Sequence, residues 1–416
     1  MSSGRGNAAG VVIVGAGHAG GRTAERLRHG GYLRPIDVVG LESELPYERP
    51  PLSKNVLTSA ELPANAFLLP SSRWKELGVR FHLGAEVGGI DRSAKSVALS
   101  DGSRLAYRKL VLATGLSPRK VALLDGISDH VVHLRSFADA SNLRDRIRPG
   151  MSMVLVGAGL IGLEVAASAA RRGAHITVVE AAERPLSRLL PKHITDWLVA
   201  FHGEAGIRIL CGRQIVSSSP QGSGTVVILD DGTRLSADLV LVGIGGNPND
   251  ALAKQAGLET ANGVVVNEFC QTSDPDIFAV GDVASHFNPV FATQWRLESW
   301  KNAEDQAGVA ASHICGRPTP YHEVPWFWTD QHDVNIQIAG VLPDTSPSLE
   351  RGVVGARGYL AYFLDEGRLR GAVGIGCGRD IRMAREIMKG GARVDLDELR
   401  GMGLHDAGQA PERLAS

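Results

Sequence analysis

Val11-Val12-Ile13-Val14-Gly15-Ala16-Gly17-His18-Ala19-Gly20 returns later in the chain, altered, as Met153-Val154-Leu155-Val156-Gly157-Ala158-Gly159-Leu160-Ile161-Gly162. Each copy leads from an apolar strand pattern through Gly-x-Gly-x-x-Gly into a helix pattern. In such a turn the first glycine permits a tight reversal, the second lets backbone approach a pyrophosphate, and the third lets helix pack on strand. The N–H groups opening the helix then face the anion. A strand pattern ending in an acid follows each copy, from Ile36 to Glu42 and from His175 through Val179 to Glu180. A carboxylate at that place accepts ribose hydroxyls. One glycine turn alone also suits an ordinary strand-to-helix connection. Two complete sets predict two dinucleotide sites in one chain.

The chain has 416 residues, 44% of them hydrophobic, and a formal net charge of -1. That length suits two or three domains, each with its own core. No global basic field exists to hold nucleic acid. Met1 to Gly10 is small and polar without an apolar h-region, and no apolar run approaches a membrane span, so a cytoplasmic protein with no membrane or nucleic-acid partner is expected. Cys211, Cys270, Cys315 and Cys377 are scattered, with neither metal-ligand nor CxxC spacing, so no metal site is expected.

The expected fold class is α/β, with two Rossmann-like domains and a C-terminal α+β domain. The first fingerprint opens a domain that reaches Leu110 to Gly115 and is interrupted there. After a linker from Pro118 to Arg135, the second builds its own βαβ unit, closing at Leu239 to Val242 and Gly243-Ile244-Gly245. The repeated layout is an internal duplication. Ile277 to Val280, stopped by Gly281-Asp282, and a helix from Ser299 to Cys315 return to the first domain. From Pro325 come Trp326, Phe327 and Trp328, then extended runs at Asn335 to Val341, Val353 to Leu364 and Arg368 to Ile375, and a helix from Asp380 to Lys389. The expected boundaries are 1–116 with 246–324, then 117–245, then 325–406, with a flexible tail at 407–416.

Pro46-Tyr47-Glu48-Arg49-Pro50-Pro51-Leu52-Ser53-Lys54 resembles a segment of the FAD-dependent, NADH-using ferredoxin reductases of bacterial oxygenase systems, the biphenyl-dioxygenase reductase and putidaredoxin reductase type. Ala113-Thr114-Gly115, the second fingerprint, Val242 to Gly245 with Pro248-Asn249, Ile277 to Asp282, Arg296 to Ala303 and Trp326 to Gln331 resemble that family's motifs in order. The resemblance implies a glutathione-reductase-like arrangement, with a split FAD domain around an inserted NAD domain and an interface-like C-terminal domain. It also implies NADH as donor, an acidic iron-sulfur ferredoxin of the 2Fe-2S type as acceptor, and a terminal oxygenase served indirectly. A hydride carries two electrons and the cluster accepts one at a time, which makes the flavin the converter.

By matched position, Gly15, Gly17, Gly20 and Glu42 would hold FAD's pyrophosphate and adenine ribose, with Val87 at its adenine. Arg49, Lys54 and Arg135 would lie at its phosphates or flavin surroundings, Gly281-Asp282 at its ribityl chain, and Trp300 and Trp328 near the flavin ring. Ala113, Thr114 and Gly115 would let backbone approach it. Gly157, Gly159, Gly162, Glu180, Gly243, Ile244 and Gly245 would form the NAD cradle. His18 and Ala19 occupy the variable positions of the first turn and Leu160 and Ile161 those of the second, all expected at the bound cofactors, with His18 either approaching the FAD phosphates or, the favoured reading, exposed at the helix start. The resemblance further implies a Lys54–Glu164 ion pair where hydride passes, the catalytic feature expected of the chain.

Glu180 repels a 2'-phosphate and favours NADH, while nearby Arg184 weakens that inference. Arg379, Arg382, Arg385 and Lys389 place cations on one helix face, with Arg296 and Lys301 as companions, either a ferredoxin dock or a merely solvated face. His332 stands where relatives tend to carry an aromatic hydroxyl and is expected to affect the flavin's C-terminal cover. A rubredoxin reductase or NADH oxidase of the same plan remains open, although the loop Glu42 to Lys54 lacks the cysteine that oxidases of that type use. So does an apoptosis-inducing-factor-like flavoprotein with a binding role, which a strongly basic surface would favour.

Overall fold

Buried β-branched runs flanked by glycine turns form the two parallel sheets on which the molecule is built. The structure, a computed structural model, describes residues 9–59, 63 and 66–402, so the tail expected at 407–416 lies outside the described residues. In the first sheet Gly10–Val14 is central, parallel to Ile36–Gly40 on one side and to Arg104–Leu112 on the other. Val79–Leu83 extends one edge, and the hairpin Val87–Asp91 with Ser96–Leu99 joins Arg104–Leu112 antiparallel. Ile277–Ala279 pairs parallel with the same long strand, Phe278 opposite Val111, so chain far along the sequence completes the opening sheet.

The second sheet is all parallel, in the order Arg208–Cys211, His175–Glu180, Ser152–Val156, Leu239–Val242, Val131–Val132. The stretch expected as a linker, Pro118 to Arg135, is therefore partly structural: it supplies the edge strand Val131–Val132, where two β-branched residues gain ladder bonds. The chain passes between units twice, and the passages hydrogen-bond to one another as an antiparallel ribbon, Leu116–Pro118 with Gly246–Pro248. That ribbon fixes how the two sheets sit.

A five-stranded antiparallel sheet follows, ordered Trp326–Gln331, Val334–Gly340, Arg368–Ile375, Leu360–Asp365, Leu349–Arg351. The run expected at Val353 to Leu364 shrinks to Leu360–Asp365, because Gly355 and Gly358 adopt positive φ in the turn before it, and Leu349–Arg351 adds an unexpected edge. Helix Gly378–Gly390 buries Ile381, Ala384 and Met388 against this sheet and ends at Gly391 in the left-handed conformation.

Candidate functional site: a cleft where two glycine turns meet

The two glycine turns repeat in detail. Gly15 N–H donates to Val39 O at 2.7 Å and Ala113 N–H to Val14 O at 2.7 Å; Gly157 N–H donates to Val179 O at 2.8 Å and Gly243 N–H to Val156 O at 2.8 Å. Gly15 has φ +118°, and a Cβ there would lie 2.1 Å from the Ala113 carbonyl oxygen; one on Gly20 would lie 1.9 Å from Gly15 O. Gly157, at φ +101°, and Gly162 are constrained in the same way by Gly243 O and Gly157 O. Gly17 and Gly159 are different. A Cβ on either meets no protein atom nearer than 3.6 Å and 3.9 Å respectively, so the protein alone does not demand glycine there. Helices His18–His29 and Leu160–Arg171 both start without a side-chain cap or an acid in the first turn, which leaves their N–H groups for a ligand.

A cavity of about 540 Å³ opens above the first turn, lined by Gly15, Gly17, Glu42, Arg49, Arg135 and Asp282 among others. Arg49 binds Glu42 at 2.9 Å and Arg135 binds Asp282 at 3.0 Å. Tyr47 donates to the Glu42 carboxylate, and Arg49 donates to the Arg135 carbonyl oxygen. Burial first, and then the charge of Arg49, lowers the Arg135 pKa. The wall thus carries two guanidinium groups, each matched by a carboxylate, and offers both N–H donors for phosphate and acceptors for hydroxyl groups. Trp300 and Trp328 meet edge to face at 5.8 Å, and Trp326 stacks on Trp328 at 5.0 Å, giving the cleft an aromatic end. The buried His18 Nδ1 and Trp300 Nε1 beside it have no protein partner. Glycine cradle, cation pair, orphaned polar atoms and aromatic wall together fit a flavin dinucleotide.

The second turn is barer. Both Glu180 oxygens accept backbone N–H bonds, from Ala158 at 2.7 Å and Ala182 at 2.8 Å, which ties the acid to the turn itself. Ile161 and Ile244 stand 48% and 39% exposed at its mouth. Arg184 is held away by the Asp344 carboxylate and the Leu190 carbonyl, so it does not balance Glu180.

Leu160, Ile161 and Glu164 of the second helix also line the cavity above the first turn. Glu164, 5% exposed, meets Lys54 at 3.2 Å, the pair that the family resemblance implies. The pair has company that sequence reasoning missed. Ser53 Oγ donates to Glu164 at 2.5 Å, Thr329 Oγ1 at 2.7 Å and the Asp330 backbone N–H at 3.3 Å, while Asp330 gives Lys54 a second carboxylate at 3.2 Å. Ser53 lies inside Pro46 to Lys54, and Thr329 and Asp330 inside Trp326 to Gln331, so the signal was the proximity of two quoted segments to no obvious partner. A buried carboxylate with this many donors is rigidly oriented.

Several expected placements change. His18 is 8% exposed rather than at the surface; its Nε2 meets Glu304 at 2.9 Å and its ring lies 5.2 Å from Trp300. Burial opposes ionisation of Glu304, but His18, Arg22 and Arg26 outweigh it and hold that carboxyl down to about 2. Val87 puts its side chain in the core with Val12, Val14 and Val97, outside the cavity lining. Gly281, at φ +76°, packs on Ala19, where a Cβ would come within 2.9 Å, and leaves the cleft to Asp282. His332 turns away from the cleft, its ring 5.3 Å from Phe201 and 5.1 Å from His202. The cationic face divides: Arg379 and Arg382 are exposed, whereas Arg385 and Lys389 bind Glu323, with Arg385 over the Trp326 ring. Arg296 bonds the Asp282 carbonyl and Glu298, and Lys301 bonds Asp305, so neither is a companion to that face.

Residues 9–307 match the profile described as pyridine nucleotide-disulphide oxidoreductase, and 326–404 match the one described as reductase C-terminal. The chain belongs to the pyridine nucleotide-disulphide oxidoreductase family. It is 39% identical over 93% of its length, and 96% of the relative's, to the ferredoxin–NAD(+) reductase component of the anthranilate 1,2-dioxygenase system of Burkholderia cepacia. It is 37% identical over 92% of its length, and 97% of the relative's, to that of the 3-phenylpropionate/cinnamic acid dioxygenase of Photorhabdus laumondii. Putidaredoxin reductase, solved in covalent complex with putidaredoxin, superposes with TM-score 0.90 at 33% identity, covering 94% of this chain and 95% of that one. The ferredoxin reductase for the CYP199A2 system of Rhodopseudomonas palustris superposes with TM-score 0.89 at 35% identity, covering 94% and 99%. Within this family, named in part for a disulphide, the four cysteines here are free thiols and none lines the cleft.

Proposed function

We propose that the chain is the NADH-dependent ferredoxin reductase of an oxygenase system, with FAD in the first cradle and NADH in the second. The observation that carries this reading is that Glu164, on the helix opening from the second turn, bonds Lys54, on the loop lining the first. Relatives whose names specify ferredoxin–NAD(+) reductase activity over nearly the whole length support it. When bound, FAD supplies conversion of a hydride into single electrons.

The chain's own residues bind, orient and exclude. Gly15, Gly17 and Gly20, with Ala19 and the uncapped helix behind them, cradle the first pyrophosphate; Arg49 and Arg135 supply positive charge and Glu42 accepts ribose hydroxyls. Ala113, Thr114 and Gly115 give backbone approach, Asp282 a polar contact, and Trp300 and Trp328 a water-poor aromatic end. Gly157, Gly159 and Gly162, with Leu160, Ile161, Glu180, Gly243, Ile244 and Gly245, take the nicotinamide dinucleotide. Lys54 and Glu164 fix the edge where the two meet and keep it dry, since positioning within about 3 to 3.5 Å supplies much of the rate. The acceptor is an acidic 2Fe-2S ferredoxin docking near Arg379 and Arg382, and the protein acts in the cytoplasm; among the described residues no helix is long and apolar enough to cross a membrane.

Purified chain supplied with FAD is expected to turn yellow, bleach on addition of NADH, and reduce cytochrome c only when a ferredoxin is added. A polypeptide that takes up no flavin overturns the reading. Flavin reduction without turnover of any 2Fe-2S ferredoxin, but with rubredoxin turnover, would replace the acceptor.

A further inference from the structure

The Glu164 carboxylate ends a file of hydrogen bonds that starts in its own unit, at His202, and passes through the C-terminal sheet. Thr329 and Gln331 lie two apart on strand Trp326–Gln331, on the same face, and both are 0% exposed. Thr329 Oγ1 donates to Glu164 Oε1 at 2.7 Å, and Gln331 Nε2 donates to Thr329 Oγ1 at 2.7 Å. Gln331 Oε1 lies 3.1 Å from Nε2 of His202, a wholly buried residue near the end of helix Lys192–Glu204.

The direction of this file depends on one proton. A hydroxyl has a single hydrogen. Thr329 can give it to Glu164 only while its Gln331 neighbour presents the NH₂ group, and Gln331 presents that group only while its carbonyl receives an N–H from His202 Nε2. The other neutral tautomer puts the hydrogen on Nδ1, a buried atom with no partner among the described residues, where an unpaired N–H is costly. It would also turn the Gln331 carbonyl toward Thr329 and draw the hydroxyl hydrogen away from Glu164. Burial, and then the neighbouring His332 ring, pushes the His202 pKa down to about 4, which keeps the ring neutral at physiological pH.

We propose that His202, Gln331 and Thr329 are positioning residues which aim the Thr329 hydrogen at Glu164 and so hold that carboxylate in the orientation that meets Lys54. The effect on rate rests on the role given to Glu164 above; the proton arrangement does not.

The test uses the FAD-loaded full chain. Histidine ¹⁵N NMR should show His202 as the neutral Nε2–H tautomer, and the Nδ1–H tautomer would overturn the proposal outright. In stopped flow, Thr329→Val, equal in shape but without the hydroxyl, should slow flavin reduction by NADH about tenfold, and Thr329→Ser should restore it to within about twofold, as expected for one hydrogen bond to a charged group. Gln331→Glu, which puts acceptors on both neighbours, should slow the same step and show His202 protonated on both nitrogens, and serves should the valine variant not fold. Undiminished rates in both variants alongside a slow Glu164→Ala enzyme sink the relay alone. A fast Glu164→Ala enzyme sinks the role of Glu164 instead, while the tautomer still decides the proton arrangement.

Discussion

The two glycine cradles repeat the same strand, turn and helix pattern, with equivalent backbone hydrogen bonds of 2.7 Å in one and 2.8 Å in the other, yet their surroundings differ. The first is roofed by Arg49, Arg135, Asp282 and the tryptophans, contributed by five separate stretches of chain. The second has an acid folded back on its own turn and exposed isoleucines at its mouth. A ligand enclosed by many elements is held; one touched by few can leave. On the proposed assignment, the duplicated motif supplies recognition of a dinucleotide, and the added contacts around the first cradle would hold a resident cofactor while the second exchanges.

The largest expected contrast comes from the glycines that the protein itself does not require. Gly17→Ala should abolish stable flavin uptake, read as loss of visible absorbance in the purified protein. Gly159→Ala should keep the colour and raise KM for NADH about tenfold, since its Cβ intrudes only on the ligand side. Equal loss of colour in both would erase the distinction between resident and exchanging sites. At the seam between cradles, Glu164→Ala should leave FAD bound and slow its reduction by NADH about a hundredfold, because Lys54 then turns to Asp330 alone. Unchanged reduction in stopped flow would refute it.

Acid should loosen both halves in the same window. Burial pushes His202, within the second unit, and His286, behind the first, each down to about 4. Each folded-state value lies below the ordinary one of about 6.5. The neutral rings therefore contribute stability that is fully present above about pH 6.5 and lost as pH falls toward 4, on the order of 3 kcal/mol each. His286 joins Gln306, which accepts the Gly281 N–H, so flavin release should accompany this loss. Thermal unfolding followed by flavin fluorescence checks it, and a melting temperature flat from pH 7 to about 4.5 would contradict it. The smallest effect concerns coenzyme choice. Asp344→Ala should release Arg184 and raise kcat/KM for NADPH a few-fold with NADH little changed; no gain would mean that Arg184 cannot reach the ribose.

Much of the fold was legible because its signals are local. Gly15 and Gly157 need positive φ, the strands are short continuous apolar runs, and the glutamates fall at fixed distance, so each half of the duplication declares itself within a few dozen residues. The pairing of Lys54 with Glu164 came from the family resemblance, since no local signal in either segment brings the two side chains together. His18 was misplaced because its burial is decided by Glu304 and Trp300, hundreds of residues away. The cationic helix face was misread for a similar reason: the sequence period puts Arg385 beside Arg382, but Glu323 on a distant loop neutralises only the former.

From the chain's order of residues alone came two dinucleotide cradles, an interrupted first domain and a two-cofactor chemistry without a redox disulfide, since backbone conformation and strand-turn-helix spacing are set by near neighbours. Only the tertiary structure decided that the helix opening from the second turn reaches the cavity above the first, that Glu164 is held by Ser53, Thr329 and Asp330 as well as Lys54, and that His202 stands at the far end of the file reaching it. Those facts depend on which remote side chains desolvate one another, and burial is a property of the packed whole.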